Sequence, residues 1–134
     1  MPSVDELKDF ARQAAEQYGI PADLFLRLIT QESSWQVGIA SPAGAVGLGQ
    51  FMPDTWTAVI NAHPELSHFG VGPNPIFRSN PIASLFASAA HLRDLYDQTS
   101  GTQDQRIRDM LIGYNAGPGR MGTPTDQLPA ETQA

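Results

Sequence analysis

The spacing of apolar positions at the start of the chain is typical of an amphipathic helix. Ser3 and Glu6 have the spacing of a capping box, and Gly19 is a natural stop signal. Between these signals the apolar side chains fall on one helical face, and they are Leu7, Phe10, Ala11, Ala14 and Tyr18. The pattern therefore predicts a first helix between Ser3 and Gly19.

A second helix is predicted after Pro21, because proline suits the first turn of a helix. Its apolar residues recur at the intervals of one helical face, and they are Leu24, Phe25, Leu28 and Ile29. One further step along this face lands on Glu32. The glycine- and serine-rich residues 33–50 then end the helix and permit tight turns.

The rest of the chain continues the helical pattern, with one interruption. A third helix is expected over residues 53–60, and residues 61–81, rich in proline and glycine, are expected to form a loop. Amphipathic stripes over residues 81–96 and 107–114 predict two further helices. Because strand-like alternation is lacking, we predict an all-α fold, or α+β at most through a small hairpin.

Composition and charge exclude several classes of protein. The 134 residues suit one domain, and the absence of cysteine removes disulfides, thiolate nucleophiles and cysteine-bound zinc. A net charge of −6, with only 8 scattered Lys and Arg, argues against a nucleic-acid partner. No apolar run is long enough to span a membrane, and the polar, acidic N-terminus does not resemble a signal peptide.

Metal and cofactor sites are not expected either. His63, His68 and His91 form no helical pair with metal-ligand spacing. The segment "GPGRMG" at residues 117–122 matches a dinucleotide-binding pattern, but it follows a helix rather than a strand. We therefore predict no metal and no cofactor.

Glu32 is the candidate for acid–base chemistry. No other acidic residue occurs between it and Asp54. A carboxyl group that is partly desolvated on the apolar side of a helix keeps its proton more readily, which is what a general acid requires. The alternative is that Glu32 points into solvent at a fraying helix end, which the spacing alone does not exclude.

Four aromatic residues could pack against sugar rings, although we expect at least two of them to lie in the core. They are Trp35, Phe51, Trp56 and Tyr114. Asn115 follows at a helix end, where an amide side chain also serves as a local cap.

Three segments in series, "QESSW", "SPAGAVGLGQFMPDTW" and "GYNAGPG", resemble the soluble lytic transglycosylase family of peptidoglycan-cleaving enzymes. The similarity extends over roughly residues 17 to 122. It implies a lysozyme-like, mainly helical fold with a cleft. It also implies cleavage of the β-1,4 bond between N-acetylmuramic acid and N-acetylglucosamine.

The resemblance assigns roles position by position. Glu32 matches the single catalytic acid and base of the family, and Ser33 matches the residue that assists it. The remaining matches are expected to bind substrate, and they are Ser41, Gln50, Met52, Tyr114 and Asn115. His91 is also expected to bind substrate, although it stands where the family commonly has a tyrosine. Residues 61–80 form a longer connection than the family has.

The carboxylate-free stretch after Glu32 suits a mechanism with one carboxylate, in which the substrate's N-acetyl group stabilises the reacting carbon and a 1,6-anhydromuramoyl end is formed. Two alternatives stay open. One is a goose-type lysozyme that hydrolyses the same bond, with Asp54, Asp94 or another acid activating water. The other is a peptidoglycan-binding module, without activity, of a virion or secretion machine.

We expect residues 1–122 to form the catalytic domain and residues 123–134 to be a C-terminal tail truncated from a larger protein. The expected partner is the peptidoglycan glycan strand, in the periplasm or cell wall. Because the chain shows no signal peptide, we expect either an excised domain or a virion-associated phage protein that belongs to a larger polypeptide or assembly.

Overall fold

The computed structural model describes residues 1–122, and the expected tail at residues 123–134 lies outside them. The described residues form α-helices joined by loops and short 3-10 helices, with β-structure limited to two isolated bridges. The all-α prediction is confirmed. The α-helices are α1 (Val4–Tyr18), α2 (Ala22–Ser33), α3 (Pro53–Ala62), α4 (Pro81–Asp97) and α5 (Gln103–Ala116).

The ends of α1 match the predicted signals. Ser3 Oγ accepts from Glu6 N at 3.1 Å and Glu6 Oε1 accepts from Ser3 N at 3.0 Å, which is the reciprocal capping box. Gly19 ends the helix in the left-handed region at φ 69°, where a residue without a Cβ has no steric cost. The helix is therefore specified by local chemistry at both ends.

The chain divides into two compact units, Met1–Ala90 and His91–Ala134. In the first unit α1 packs against α2, and their predicted apolar faces supply buried side chains such as Leu7, Phe25 and Ile29. Helix α3 packs against two 3-10 helices and buries Trp56 completely. The apolar period of the sequence thus identified the core-facing sides of α1 and α2.

Residues 61–81 are not the plain loop that we predicted. They contain 3-10 helices at Pro64–Phe69 and Pro75–Ser79, each begun by proline. Trp56 Nε1 donates to Gly72 O at 3.1 Å, and Thr57 Oγ1 donates to Pro73 O at 2.7 Å. Proline and glycine interrupt the α-helix in this connection, but hydrogen bonds from α3 hold it in one conformation.

Helix α4 also differs from its predicted amphipathic stripe. All of residues 83–90 are buried, including Ser84 and Ser88. The small alanine and serine side chains between the large apolar ones leave no polar face over these two turns, so this part of the helix is enclosed on every side. Ser88 Oγ satisfies its buried hydroxyl by donating to Ser84 O at 2.7 Å.

In the second unit, α5 begins with a capping box that our sequence analysis did not identify. Thr102 Oγ1 accepts from Gln105 N at 3.2 Å, and Gln105 Oε1 accepts from Thr102 N at 2.9 Å. A 3-10 turn, Pro118–Arg120, follows α5. Among the helices that the structure describes, none combines the length and apolar character needed to cross a membrane.

Candidate active site

Glu32 lies in the last turn of α2 and is half-buried. It therefore does not project fully into solvent, which was the alternative left open by the spacing. Every other acidic side chain of residues 1–90 is exposed, and these are Asp5, Glu6, Asp9, Glu16, Asp23, Asp54 and Glu65. Among the acids of this unit, Glu32 alone has a carboxyl group on a half-buried residue, where partial loss of solvent favours the protonated form.

The chain reverses sharply immediately after Glu32. Ser34 and Trp35 both have positive φ, 50° and 64°, which is uncommon for residues with a side chain. Ser33 is only 2% exposed, and its Oγ donates to Ile29 O at 3.1 Å and accepts from Trp35 N at 3.3 Å. The Ser33 hydroxyl thus stabilises the turn that follows the candidate acid.

Trp35 anchors the same turn from the other side. Its Nε1 donates to Thr30 Oγ1 at 2.9 Å, and Lys8 Nζ lies 5.7 Å from the ring centroid. The indole is 8% exposed, so it supports the turn and offers little surface to a sugar ring. Phe51 and Trp56 are buried as well, in agreement with the expectation that at least two of the four aromatic residues lie in the core.

Residues 39–52, which we call the glycine loop, carry three of the predicted substrate-binding residues. Isolated antiparallel bridges join Ala40 to Val46 and Val46 to Phe51, so that the loop folds back on itself twice. Ser41 N donates to Ala45 O at 2.8 Å, and Ala45 N donates to Ser41 Oγ at 3.0 Å. The half-buried Ser41 therefore closes the first turn with both its backbone and its hydroxyl.

Gln50 occupies a strained position in this loop, with φ 52°. Its Nε2 donates to Ile39 O at 3.2 Å and to Gly47 O at 3.0 Å, so both amide hydrogens are directed into the loop. These two bonds hold the side chain in one orientation, and its Oε1 is a hydrogen-bond acceptor.

Gly47 explains why the glycine loop needs a residue without a side chain. Its φ is +85°, and a Cβ at this position would lie 2.2 Å from the backbone oxygen of Arg78. Gly47 N also donates to Ile39 O at 2.9 Å. The loop therefore packs backbone to backbone against the 3-10 helix Pro75–Ser79.

Buried contacts fix the end of the glycine loop that leads into α3. Gly49 N donates to Ser84 Oγ at 3.1 Å, and both residues are buried. The Phe51 ring meets Trp56 edge to face, with centroids 5.2 Å apart. Met52 follows at the N-terminal end of α3 and is 43% exposed, which is unusual among the large apolar residues that the structure describes.

In the second unit, His91 and Tyr114 form a ring pair with centroids 5.4 Å apart and an interplanar angle of 47°. Both side chains are half-buried, whereas Asn115 near the end of α5 is exposed. The imidazole of His91 thus places a flat group against the ring of Tyr114. Within residues 1–122, no cluster of three or more His, Cys, Asp or Glu side chains could hold a metal ion.

Two residues that shape the glycine loop were not identified from the sequence. Ser84 lies within an apolar helix, and Arg78 lies in a connection that we predicted to be a plain loop. A serine on the buried side of a helix usually has a polar partner. This signal could have identified Ser84 from the sequence. Nothing in the spacing of Arg78 indicates its partners in the glycine loop, because these belong to a distant part of the chain.

Comparison with known proteins agrees with the three motifs. The model of the Transglycosylase SLT domain family matches residues 9–133. The soluble lytic murein transglycosylase of Escherichia coli strain K12 is 31% identical over 104 residues, which cover 78% of this chain and 15% of that protein. The membrane-bound lytic murein transglycosylase C of Glaesserella parasuis is 32% identical over 111 residues, covering 81% of this chain and 30% of that protein.

The soluble lytic murein transglycosylase of Salmonella typhimurium strain LT2 is likewise 32% identical over 98 residues, which cover 73% of this chain. The chain spans less than a third of the length of each of these relatives. The family match, in contrast, extends over nearly all of this sequence. The chain therefore belongs to the Transglycosylase SLT domain family.

Proposed function

We propose that this chain is the catalytic part of a lytic transglycosylase that cleaves the β-1,4 bond between N-acetylmuramic acid and N-acetylglucosamine in peptidoglycan. The reaction leaves a 1,6-anhydromuramoyl end and consumes no water. The family match and the names of the relatives support the reaction class. The observation that carries the residue assignment is that Glu32 is half-buried at the end of α2 whereas every other acid of residues 1–90 is exposed; in the second unit Asp94 and Asp109 are half-buried as well.

In the proposed mechanism Glu32 acts twice. Its carboxyl group first donates a proton to the glycosidic oxygen, and the bond from that oxygen to C1 of the muramoyl residue breaks. The carbonyl oxygen of the substrate's 2-acetamido group stabilises the electron-poor C1. The Glu32 carboxylate then accepts the proton of the muramoyl 6-hydroxyl as that oxygen bonds to C1, which restores the acid and closes the anhydro ring.

This scheme explains why one carboxyl group is enough. Glycosidases with two carboxyl groups place them about 5 to 10 Å apart across the scissile bond. The next acid along the chain, Asp54, is exposed in the first turn of α3. Because the acetamido group stabilises C1 and the 6-hydroxyl of the same sugar attacks it, no second acid is required in this unit.

The glycine loop supplies the substrate contacts in this proposal. Gln50 offers a fixed acceptor, Oε1, to a sugar hydroxyl or acetamido N–H, and Met52 offers an exposed thioether to an apolar sugar face. Ser33 and Ser41 stabilise the turns next to these groups. By resemblance we also assign substrate contacts to His91, Tyr114 and Asn115, and we place the site of action in the periplasm or cell wall.

Glu32→Gln tests the assignment, because it retains the shape of the side chain and removes its ionisable proton. We expect it to reduce the release of muropeptides from purified sacculi by at least about a thousandfold. Glu16→Gln is a matched control, since Glu16 is exposed on α1, and it should retain the wild-type rate. Equal activity of the Glu32→Gln protein and the wild type, at equal folded fraction, contradicts the assignment.

Mass spectrometry of the released muropeptides tests the reaction type in the same digest. Transglycosylation gives anhydro products that are lighter by one water than the reducing products of a hydrolase. Reducing ends alone would assign the chain to the lysozyme type. Binding to sacculi without any turnover by the wild type would indicate a non-catalytic module.

A further inference from the structure

Arg78 makes an unusual set of contacts for a side chain on a connecting segment. Its Nε donates to Pro75 O at 2.8 Å, within its own 3-10 helix. Its Nη1 donates to Gly44 O at 2.9 Å and to Phe51 O at 3.0 Å. One guanidinium group therefore joins three backbone carbonyls, two of which belong to the glycine loop.

The two loop carbonyls belong to different parts of the glycine loop, Gly44 to its first turn and Phe51 to its exit into α3. Gly44 belongs to the turn that Ser41 closes, because Gly44 N donates to Ser41 O at 3.0 Å. Phe51 stands between Gln50 and Met52, and its oxygen also accepts from Val46 N at 3.1 Å. A single nitrogen, Nη1, thus sets the distance between the first turn of the loop and its exit into α3.

The charged guanidinium of Arg78 donates hydrogen bonds to backbone carbonyls rather than forming an ion pair with an acidic side chain. Within residues 1–122, no carboxylate lies within ion-pair distance of its guanidinium. Hydrogen bonds from a charged donor are roughly twice as strong as those between neutral groups. Because the guanidinium is planar, its hydrogens point in fixed directions, which a flexible ammonium cannot reproduce.

The backbone of Arg78 contributes as well, since its carbonyl oxygen occupies the space that a side chain on Gly47 would need. The loop is therefore held from two sides by one residue, by the guanidinium at Gly44 and Phe51 and by the backbone at Gly47. We propose that Arg78 is a positioning residue. It holds the glycine loop in the conformation that places Gln50 and Met52 for binding of the glycan strand. Its effect on catalysis, although not its effect on the loop, rests on the proposed function.

Amide hydrogen exchange tests the loop directly and needs no turnover. In Arg78→Ala we expect the amides of Val46, Gly47 and Phe51 to exchange roughly tenfold faster or more, while those of α1 stay unchanged. Arg12→Ala is the control, because Arg12 is exposed and its contact is a surface pair with Asp9 at 2.7 Å. Unchanged exchange of the three loop amides in Arg78→Ala overturns the proposal.

Kinetics on soluble glycan strands test the consequence for substrate binding. Because the loop carries binding groups and Glu32 lies on α2, we expect Arg78→Ala to raise KM roughly tenfold. We expect kcat to stay within about twofold and the pH profile of kcat to keep its shape. The KM of Arg78→Lys should lie between those of the wild type and Arg78→Ala, because lysine keeps the charge but lacks the planar guanidinium.

The two measurements separate failure of this inference from failure of the proposed function. A wild-type protein that does not turn over glycan strands refutes the proposed function, and hydrogen exchange still decides whether Arg78 holds the loop. A loss confined to kcat, with an altered pH profile, overturns the positioning role because it would place Arg78 at the reacting group.

Discussion

Gly47→Ala should be far more damaging than the addition of one methyl group suggests. The new Cβ would lie 2.2 Å from the Arg78 carbonyl oxygen, so one of the two backbones has to move by about 1 Å. Such a shift would break the bonds from Arg78 Nη1 to Gly44 O and Phe51 O, now 2.9 and 3.0 Å long. The clash therefore propagates into the whole glycine loop.

The loss in the free energy of unfolding has two causes, the backbone conformation and the broken hydrogen bonds. Holding an alanine at φ +85° costs about 1 to 2 kcal/mol. Losing two hydrogen bonds adds about 1 kcal/mol each. The free energy of unfolding should therefore fall by roughly 3 to 4 kcal/mol, which lowers Tm by roughly 10 °C in a domain of this size.

Gly44→Ala measures the cost of the backbone conformation alone. Gly44 has φ +97° in the same loop, but a Cβ there would meet nothing within 4 Å. We expect this variant to lose only the conformational term, or roughly 5 °C in Tm. Thermal unfolding followed by circular dichroism compares the two proteins. Equal losses of Tm would refute the close approach of Gly47 to Arg78.

Two further substitutions probe the first unit. Ser84→Ala removes the acceptor for Gly49 N, so we expect the free energy of unfolding in urea to fall by about 1 to 2 kcal/mol. Burial acts to raise the pKa of Glu65, but hydrogen bonds from its own backbone, Tyr18 and His63 outweigh this and lower it. Tyr18→Phe removes one donor and should move the pKa of Glu65 back up, which an NMR titration measures. A carboxyl group whose pKa is lowered by folding stabilises the fold when it is ionised, and this contribution is lost as the pH falls through the pKa of the folded state. The small loss of stability in Tyr18→Phe should therefore be present at neutral pH and vanish in strong acid.

The helices were predictable because their signals are local. The capping box of Ser3 and Glu6, the stop at Gly19 and the apolar period of α1 and α2 all act within a few residues. Local signals also placed Glu32 at the end of an apolar face, where the structure finds it half-buried. The roles of the candidate site residues themselves stay predictions.

The glycine loop was not predictable in the same way. Its conformation depends on Arg78 and Ser84, which lie far along the chain and contact it through three hydrogen bonds, two from Arg78 and one to Ser84. Gln50 adopts a positive φ without being glycine, because its own side chain holds the turn. Such contacts leave no periodic trace in a sequence, so composition could indicate only that tight turns occur there.

Digestion of sacculi by the wild-type protein in heavy-oxygen water tests whether the glycosidic bond is broken without water. We predict that the new muramoyl ends are anhydro ends that carry no heavy oxygen, because the 6-hydroxyl of the sugar attacks C1. New reducing muramoyl ends with heavy oxygen at C1, formed in place of anhydro ends, would contradict this mechanism, since hydrolysis transfers an oxygen atom from solvent to that carbon.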